Sequence, residues 1–442
     1  MRILATVSAA LKRLFGDTAQ QAADATAVIQ RRRVFTGLSL ARTFVLGFLQ
    51  HPAASDEELA QMAGQCGAAV TPQAIDQRHT PKLVAFLQRL FRGGVQEVVG
   101  SDRALAPILE RFARVVVLDS TTIQLPDSQK DEFAGCGGRC GFGAAAMKLQ
   151  VELDLRSGAL AHVEIESGRD TDNATRRQHA RHGKGALRIT DLGYFNVAVF
   201  ATAVLAGEHF LSRLQFGTGV LRPTGESLDL LPWLGSQPGR FIDQPILLSK
   251  GQPLACRLIA WRLPAEQANR RRQKLRQDHR DKWGKEPSAE RLAWCDWTIL
   301  VTSVPADLLA ANEAAVLYRA RWQVELLFKR WKSQDLVAVL SGATEVRQMV
   351  RVWSRLLAAL VQHWLVLASV WGDPTKSLSK ACEAIRGFVG RVAAGLDRVT
   401  ELARAIADLA RSLAKTCGRN RRSKPGTFEL LNDPDLLEYS LT

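Results

Sequence analysis

Apolar and polar positions change period along this chain, and the changes mark its elements. Over residues 1 to about 105 the apolar positions recur at helical spacing. The opening stretch, MRILATVSAALKRLFGDTAQ, is interrupted by Lys12, Arg13 and Asp17 and reads as an amphipathic helix, not as a secretion signal. Ser55 stands before Asp56-Glu57-Glu58 and then Leu59, Ala60, Met62 and Ala63, which is an N-cap followed by an acidic first turn. After Gly64 and Gly67, Thr71-Pro72 opens a second helix through Ala74, Ile75, Gln77 and Arg78. Helix, short turn and helix suit a unit that reads DNA, and a plain helical hairpin gives the same pattern.

The period then shortens. Val115-Val116-Val117-Leu118 is an apolar run typical of a strand buried on both faces. Residues 148 to 155 and 159 to 166 alternate on either side of Arg156-Ser157-Gly158, which predicts a hairpin. A polar helical stretch from Thr171 to His182 follows. Next come a strand over Leu187 to Leu192, a helix over Val197 to Ala206 and a strand over His209 to Gln215. That order predicts a mixed α/β sheet. Residues 217 to 304 are β-rich, with strands near Ile246 to Leu248, Cys256 to Leu263 and Trp297 to Thr302. Residues 305 to 442 are helical again. The most apolar run, Leu356 to Val370, is shorter than the roughly 20 residues that span a bilayer, and Gln362 and His363 interrupt it. It predicts a buried helix and no membrane partner.

Composition adds a partner. The 442 residues are 46% hydrophobic and 23% charged, so the chain can bury a large core. Lys and Arg outnumber Asp and Glu by 59 to 44, a net charge of +15, which calls for a polyanion. Seven cysteines form no disulfide framework and point to the reducing cytosol. Between Glu266 and Arg291 lie nine basic and five acidic residues, either a solvated helix or loop, or an insertion facing DNA. Arg31-Arg32-Arg33 and the tail from Arg411 to Lys424, with six basic residues and no acid, either attract phosphate or are simply solvated.

Three features carry candidate chemistry. Asp119 closes the first apolar strand, and Asp191 closes a later one in Thr-Asp-Leu-Gly-Tyr-Phe. A carboxylate at the end of a buried strand needs a partner or a cation. The segment Val316 to Lys332 reads VLYRARWQVELLFKRWK and predicts one helix. At about 100° per residue, Tyr318, Arg321, Glu325 and Lys332 fall within about 60° of one another. Val324, Leu327, Phe328 and Trp331 form the adjoining apolar side. Such an edge can hold metal and phosphate together, and surface ion pairs would give the same stripe. Cys136-x3-Cys140 lacks a second Cys/His pair nearby to complete a tetrahedral zinc site.

The spacing Tyr318-x2-Arg321-x3-Glu325-x6-Lys332, with Asp119 and Asp191 ahead of it, resembles the signature of the insertion-sequence-four family of DDE transposases, over about Val115 to Lys332. The resemblance implies a ribonuclease-H-like catalytic core (residues 106–216 and 305–372) with a β-rich insertion (217–304). A helical N-terminal DNA-binding domain (1–105) and a helical basic C-terminal region (373–442) flank it. It implies an acidic triad of Asp119, Asp191 and Glu325 holding two Mg²⁺ ions, with Mn²⁺ able to substitute. Tyr318, Arg321 and Lys332 would grip phosphates, Trp297 and Trp322 would hold a flipped base, and Arg213 would add a phosphate contact. The implied activity is cut-and-paste transposition of an insertion sequence by DNA strand cleavage, hairpin formation and strand transfer. The partners would be double-stranded DNA at terminal inverted repeats, target DNA and a second protomer, in the cytoplasm at the bacterial nucleoid. A metal-dependent nuclease without strand transfer and a domesticated, non-catalytic DNA-binding protein are the alternatives.

Overall fold

The computed structural model describes residues 2–30, 34–102, 104–137, 143–239, 241–249, 253–333, 344–420 and 425–437. Arg31-Arg32-Arg33, Cys140 and the tail residues Arg421, Arg422 and Lys424 lie outside them. The chain forms two compact units. The first comprises Met1–Leu105, Ser120–Asp170 and Val324–Arg421, and the second Ala106–Asp119, Thr171–Gln323 and Arg422–Thr442.

The first unit is mainly helical. Ser55 Oγ accepts from the Glu58 N–H at 3.3 Å, and the Glu58 carboxylate accepts from the Ser55 N–H at 2.9 Å. This reciprocal cap starts the helix Asp56–Gln65. Thr71 caps the next helix, Pro72–Asp76, but that helix is a single turn and stops short of Arg78. The cause is local: Pro81 holds Thr80 in extended backbone, and Thr80 caps a fresh helix, Pro81–Gly94. These elements surround the helix Glu345–Ser369, which packs on Pro81–Gly94, Gly37–Gln50 and Val399–Thr416. By length and composition that helix could cross a membrane, yet 83% of its most apolar window is buried in the protein. The two polar residues in its apolar run are buried and satisfied. Gln362 Nε2 donates to the Cys382 carbonyl at 3.0 Å, and His363 Nε2 to the Gly158 carbonyl at 2.8 Å.

The first three strands are β1 (Val115–Gln124), β2 (Ala146–Asp154) and β3 (Leu160–Ser167). The second half of β1 belongs to this unit, where the order is β3-β2-β1. β2 and β3 form the expected antiparallel hairpin, with Val151 opposite Val163. Its turn needs glycine: Gly158 has φ +74°, and a Cβ there would meet the Trp371 ring at 2.4 Å. β1 runs six residues beyond the apolar run that announced it. Its second half alternates buried and exposed positions through Thr121, Thr122 and Ile123, a weak signal beside four consecutive valines and leucines.

The second unit is a mixed sheet with flanking helices. Its strands are the first half of β1, then β4 (Leu187–Thr190), β5 (His209–Arg213), β6 (Gly219–Leu221), β7 (Phe241–Ser249), β8 (Leu254–Arg262) and β9 (Trp297–Thr302), in the order β1-β4-β5-β9-β8-β7-β6. β1, β4 and β5 are parallel, and the remainder pair antiparallel. The helix Val197–Leu205 joins β4 to β5 and is capped by Asn196. Phe200 of that helix stacks on Phe210 of β5 at 4.4 Å between centroids, in a core that also buries Leu248, Leu258 and Val301. Truncating either ring costs about 3–5 kcal/mol.

Thr171 to His182 is not the expected helix. Two 3₁₀ turns, Asp172–Ala174 and Arg176–His179, are separated by Thr175, whose backbone is not helical (φ −59°, ψ 134°). The carbonyls of Gln178 and Ala180 are taken by the buried Arg188 guanidinium of β4. The buried Glu208 carboxylate accepts from the N–H groups of His182 and Gly183 at 2.6 and 3.0 Å. Tertiary partners thus replace the helical ladder. The charged segment, left open as helix or loop, is a helix over Ala265–Trp283 followed by a short one over Ala289–Trp294.

Candidate active site

Strand register sets the two aspartates side by side. Leu118 of β1 pairs with Thr190 of β4 in parallel; Asp119 follows Leu118 within β1, and Asp191 directly follows β4. Apolar packing fixes the strands as far as Leu118 and Ile189; Asp119 then stands midway along β1, not closing the strand as expected, because β1 continues to Gln124 on its pairing with β2, while Asp191 leaves the carboxyl end of β4. Ligands of open parallel sheets gather at such ends.

Two side chains, one from a helix and one from the turn that ends it, meet them. The Tyr318 hydroxyl, in the helix Ala311–Ala320, donates to Asp191 Oδ1 at 3.4 Å. Arg321 donates from Nη1 to Asp119 Oδ2 at 3.4 Å, and its guanidinium lies 5.8 Å from the centre of the Tyr318 ring. Both partners of the ion pair are largely buried, at 12% and 17% side-chain exposure, so solvent screens it little. Burial, and next the Asp191 charge, push the Tyr318 phenol well above its ordinary value, while Arg321 and Arg213 act the other way. The phenol is therefore a proton donor at any physiological pH.

The expected single helix is two. The Arg321 N–H turns back to the Tyr318 carbonyl at 3.2 Å, and a new helix runs over Trp322–Ser333. The tight turn falls where Arg321 leaves the helix to meet Asp119. Val324, Leu327, Phe328 and Trp331 are buried as the apolar stripe predicts. Glu325 is half-buried in the first turn of this second helix and Lys332 is exposed in its last turn, and both belong to the first unit. Among the described residues, no three His, Cys, Asp or Glu side chains form a group able to hold a metal ion. Asp119 and Asp191 fit a divalent cation by their chemistry: they are hard oxygen donors on adjacent strands.

The remaining candidates other than Cys136 are scattered over the second unit. Trp297 opens β9, is half-buried against the aromatic core, and has the Arg262 guanidinium 6.0 Å from its ring centre. Trp322, by contrast, is 40% exposed at the start of its helix. Arg213 ends β5 and lines a cavity of about 300 Å³ with Leu192 and with three basic residues that the pattern had not singled out: Arg271, Lys274 and Arg291. Cys136 is exposed, its thiol 3.7 Å from the Gly168 carbonyl.

Residues 110–361 match the transposase DDE domain. The transposase for insertion sequence element IS231F of Bacillus thuringiensis subsp. israelensis is 26% identical over 328 residues, 69% of this chain and 68% of its own length. That for IS1151 of Clostridium perfringens is 25% identical over 333 residues, 67% and 66% of the two chains. The putative transposase InsL for IS186A of Escherichia coli K12 is 27% identical over 276 residues, 60% and 70% of the two chains.

Proposed function

Because this chain belongs to the transposase DDE domain family, we propose that it is the transposase of an insertion sequence, acting on that element's terminal inverted repeats and on target DNA in the cytoplasm, at the nucleoid. The finer assignment is to the insertion-sequence-four group, with a ribonuclease-H-like core. It rests on the Tyr318, Arg321, Glu325 and Lys332 spacing.

The observation that carries the reading is the pair of neighbouring carboxylates, Asp119 in β1 and Asp191 after β4, partnered by Arg321 and Tyr318. Divalent ions bound there, two Mg²⁺ or Mn²⁺, would supply activation of a water or a DNA 3′-hydroxyl and stabilisation of the leaving 3′ oxygen. Asp119 and Asp191 would hold that charge with oxygen donors, and the motif assigns Glu325 as their third member. Arg321, always protonated, would orient Asp119 and meet a non-bridging phosphate oxygen with its remaining N–H groups. Tyr318 would keep its proton and steer Asp191 through one hydrogen bond. No residue need form a covalent link to DNA. Trp297 and Trp322 are proposed to hold an unstacked base during hairpin formation, and two protomers to pair two transposon ends.

The test is nicking of an end-labelled inverted-repeat duplex in Mg²⁺. Nicking by the wild type, absent without a divalent ion, supports the reading. Tight DNA binding with no cleavage under any divalent ion would sink it.

A further inference from the structure

The helix Ala311–Ala320 starts without a side-chain cap of its own, because Ala310 has no acceptor to offer the first free N–H groups. Glu313 reaches back instead and accepts from the Ala310 N–H at 2.9 Å. Its carboxylate is held in turn by Arg111, whose Nη1 and Nη2 donate to the two oxygens at 2.7 Å each. Such two-point, charge-assisted pairing fixes direction as well as distance. Arg111 Nη1 also donates to the Leu308 carbonyl at 3.1 Å. Burial pushes the Glu313 carboxyl up, but the hydrogen bonds from Arg111 and the Ala310 N–H outweigh it and leave the pKa below its ordinary value. The pair is therefore charged at physiological pH. A second guanidinium fastens the same segment. Arg257 of β8 donates from Nη1 to the Val304 and Leu309 carbonyls at 2.7 and 3.0 Å, and from Nε to Asp243 of β7 at 3.0 Å.

Where Arg111 stands in the chain gives this clamp a consequence. Arg111 lies on the approach to β1, which carries Asp119, and Glu313 lies in the first turn of the helix that leads to Tyr318 and Arg321. Strand and helix are thus tied at two levels, Arg111 to Glu313 and then Asp119 to Arg321, and each tie bridges the same 202 residues of sequence. The number of residues between the ties is therefore equal on the two elements. The charges are reversed between the levels: the strand side gives the cation at the first tie and the carboxylate at the second. The Tyr318–Asp191 and Arg321–Asp119 contacts are both 3.4 Å, near the limit of a hydrogen bond, so a small slide or rotation of the helix would break them. The first tie has no such slack to lose, at 2.7 Å twice.

We propose that Arg111 and Glu313 are positioning residues for strand cleavage, their ion pair setting the depth and rotation of the helix so that Tyr318 and Arg321 reach the two aspartates. Neither residue need touch DNA or a reacting atom; both act through Arg321 and Tyr318. The proposal rests on the reading of the chain as a transposase.

The experiment is a double-mutant cycle on the full chain: wild type, Arg111→Gln, Arg321→Lys and the double variant. Single-turnover nicking of an end-labelled inverted-repeat duplex in Mg²⁺ is measured beside binding of the same duplex without metal. Arg111→Gln is expected to lower the nicking rate at least about tenfold, as misplacement of reacting groups does, and to leave binding within about threefold of wild type. In the Arg321→Lys background the same change should cost under about threefold, because the contact it positions is already altered. Nicking at the wild-type rate by folded Arg111→Gln would overturn the proposal. An equal further loss in both backgrounds would overturn it too, by showing a general structural role. Arg111 is 38% exposed, so its variant is expected to fold. Glu313→Gln removes the charge, keeps an acceptor for the Ala310 N–H, and is expected to repeat the result. Urea denaturation of the same four proteins gives a cycle that needs no activity. The change in midpoint caused by Arg321→Lys should shrink by at least about half once Arg111→Gln is present, and additive changes would overturn the coupling. Absence of nicking by the wild type would count against the transposase reading alone, so the two failures are distinguishable.

Discussion

Arg321 donates to the carboxylate of Asp119 at 3.4 Å across 202 residues of sequence, from the turn where one helix ends and the next begins. A guanidinium with five donors can hold this carboxylate and still reach a phosphate. Lysine offers one ammonium point charge on a differently shaped stem.

Arg321→Lys is therefore expected to keep the fold and most DNA affinity and to lower the cleavage rate at least about tenfold, equivalent to about 1.4 kcal/mol of transition-state stabilisation. Single-turnover nicking measured beside filter binding separates the two effects. A lysine variant that cleaves at the wild-type rate would remove Arg321 from the site.

Tyr318 gives a prediction in pH. Its folded pKa lies above the ordinary phenol value, so its stabilising contribution is complete below about pH 10 and is lost as pH rises beyond that. No limb of the cleavage pH profile between about pH 6 and 9 should come from this residue. Tyr318→Phe should reduce cleavage without changing the shape of the profile over that range, and should soften the loss of thermal stability above about pH 10. A limb near neutrality that vanishes in Tyr318→Phe would show an ionising phenol instead.

His363 predicts acid sensitivity far from the site. Burial is the main cause that brings its pKa down to about 4, against the hydrogen bond it gives Gly158. The unfolded chain takes up this proton near pH 6.5 and the folded one only near 4. Stability is thus full above about 6.5 and falls as pH drops towards 4, by an amount of order 3 kcal/mol. His363→Gln keeps a donor for the Gly158 carbonyl and should flatten that part of the pH–stability curve. An equally steep fall in the variant would assign the acid loss to other groups.

The two tryptophans should separate. Trp297 is half-buried against the core, so Trp297→Ala is expected to cost about 2–4 kcal/mol of stability as well as impairing hairpin formation. Trp322 is 40% exposed, and Trp322→Ala should leave the melting temperature within a few degrees of wild type. Denaturing gels of end substrates would show nicked DNA accumulating in both variants if both hold the unstacked base. Normal hairpin yield in folded Trp297→Ala would make that residue structural alone.

Much of this was legible in the sequence where one physical signal dominates. The run Val115 to Leu118 and the caps at Ser55 and Thr71 each act locally, and the structure follows them. The apolar stripe of Val324, Leu327, Phe328 and Trp331 is likewise buried. Signals failed where tertiary partners override local preference. Arg188 and Glu208 take the backbone groups that a helix over Thr171 to His182 would have used. The break at Arg321 was illegible because nothing in VLYRARWQVELL is a helix breaker. The aspartates were visible as carboxylates after apolar runs, though only Asp191 follows a strand's end while Asp119 lies within β1, and their adjacency came only from the register of β1 and β4. The basic cavity was hidden for a different reason: counting charges over Glu266 to Arg291 averages away the face shared by Arg271, Lys274 and Asp278.

The central claim is that Asp119 and Asp191 hold the divalent ions that drive strand cleavage, with Glu325 as their third partner by motif. The measurement is Mg²⁺-dependent nicking of an end-labelled inverted-repeat duplex by Asp119→Asn, Asp191→Asn and Glu325→Gln, beside binding of the same duplex without metal. Each change keeps side-chain shape and removes one charge, so binding is expected to stay within about threefold of wild type, under 1 kcal/mol, while nicking falls at least about a thousandfold, some 4 kcal/mol. Nicking at the wild-type rate by any one of the three, in protein that folds and binds DNA, would contradict the assignment of that residue; nicking retained by both aspartate variants would contradict the account itself.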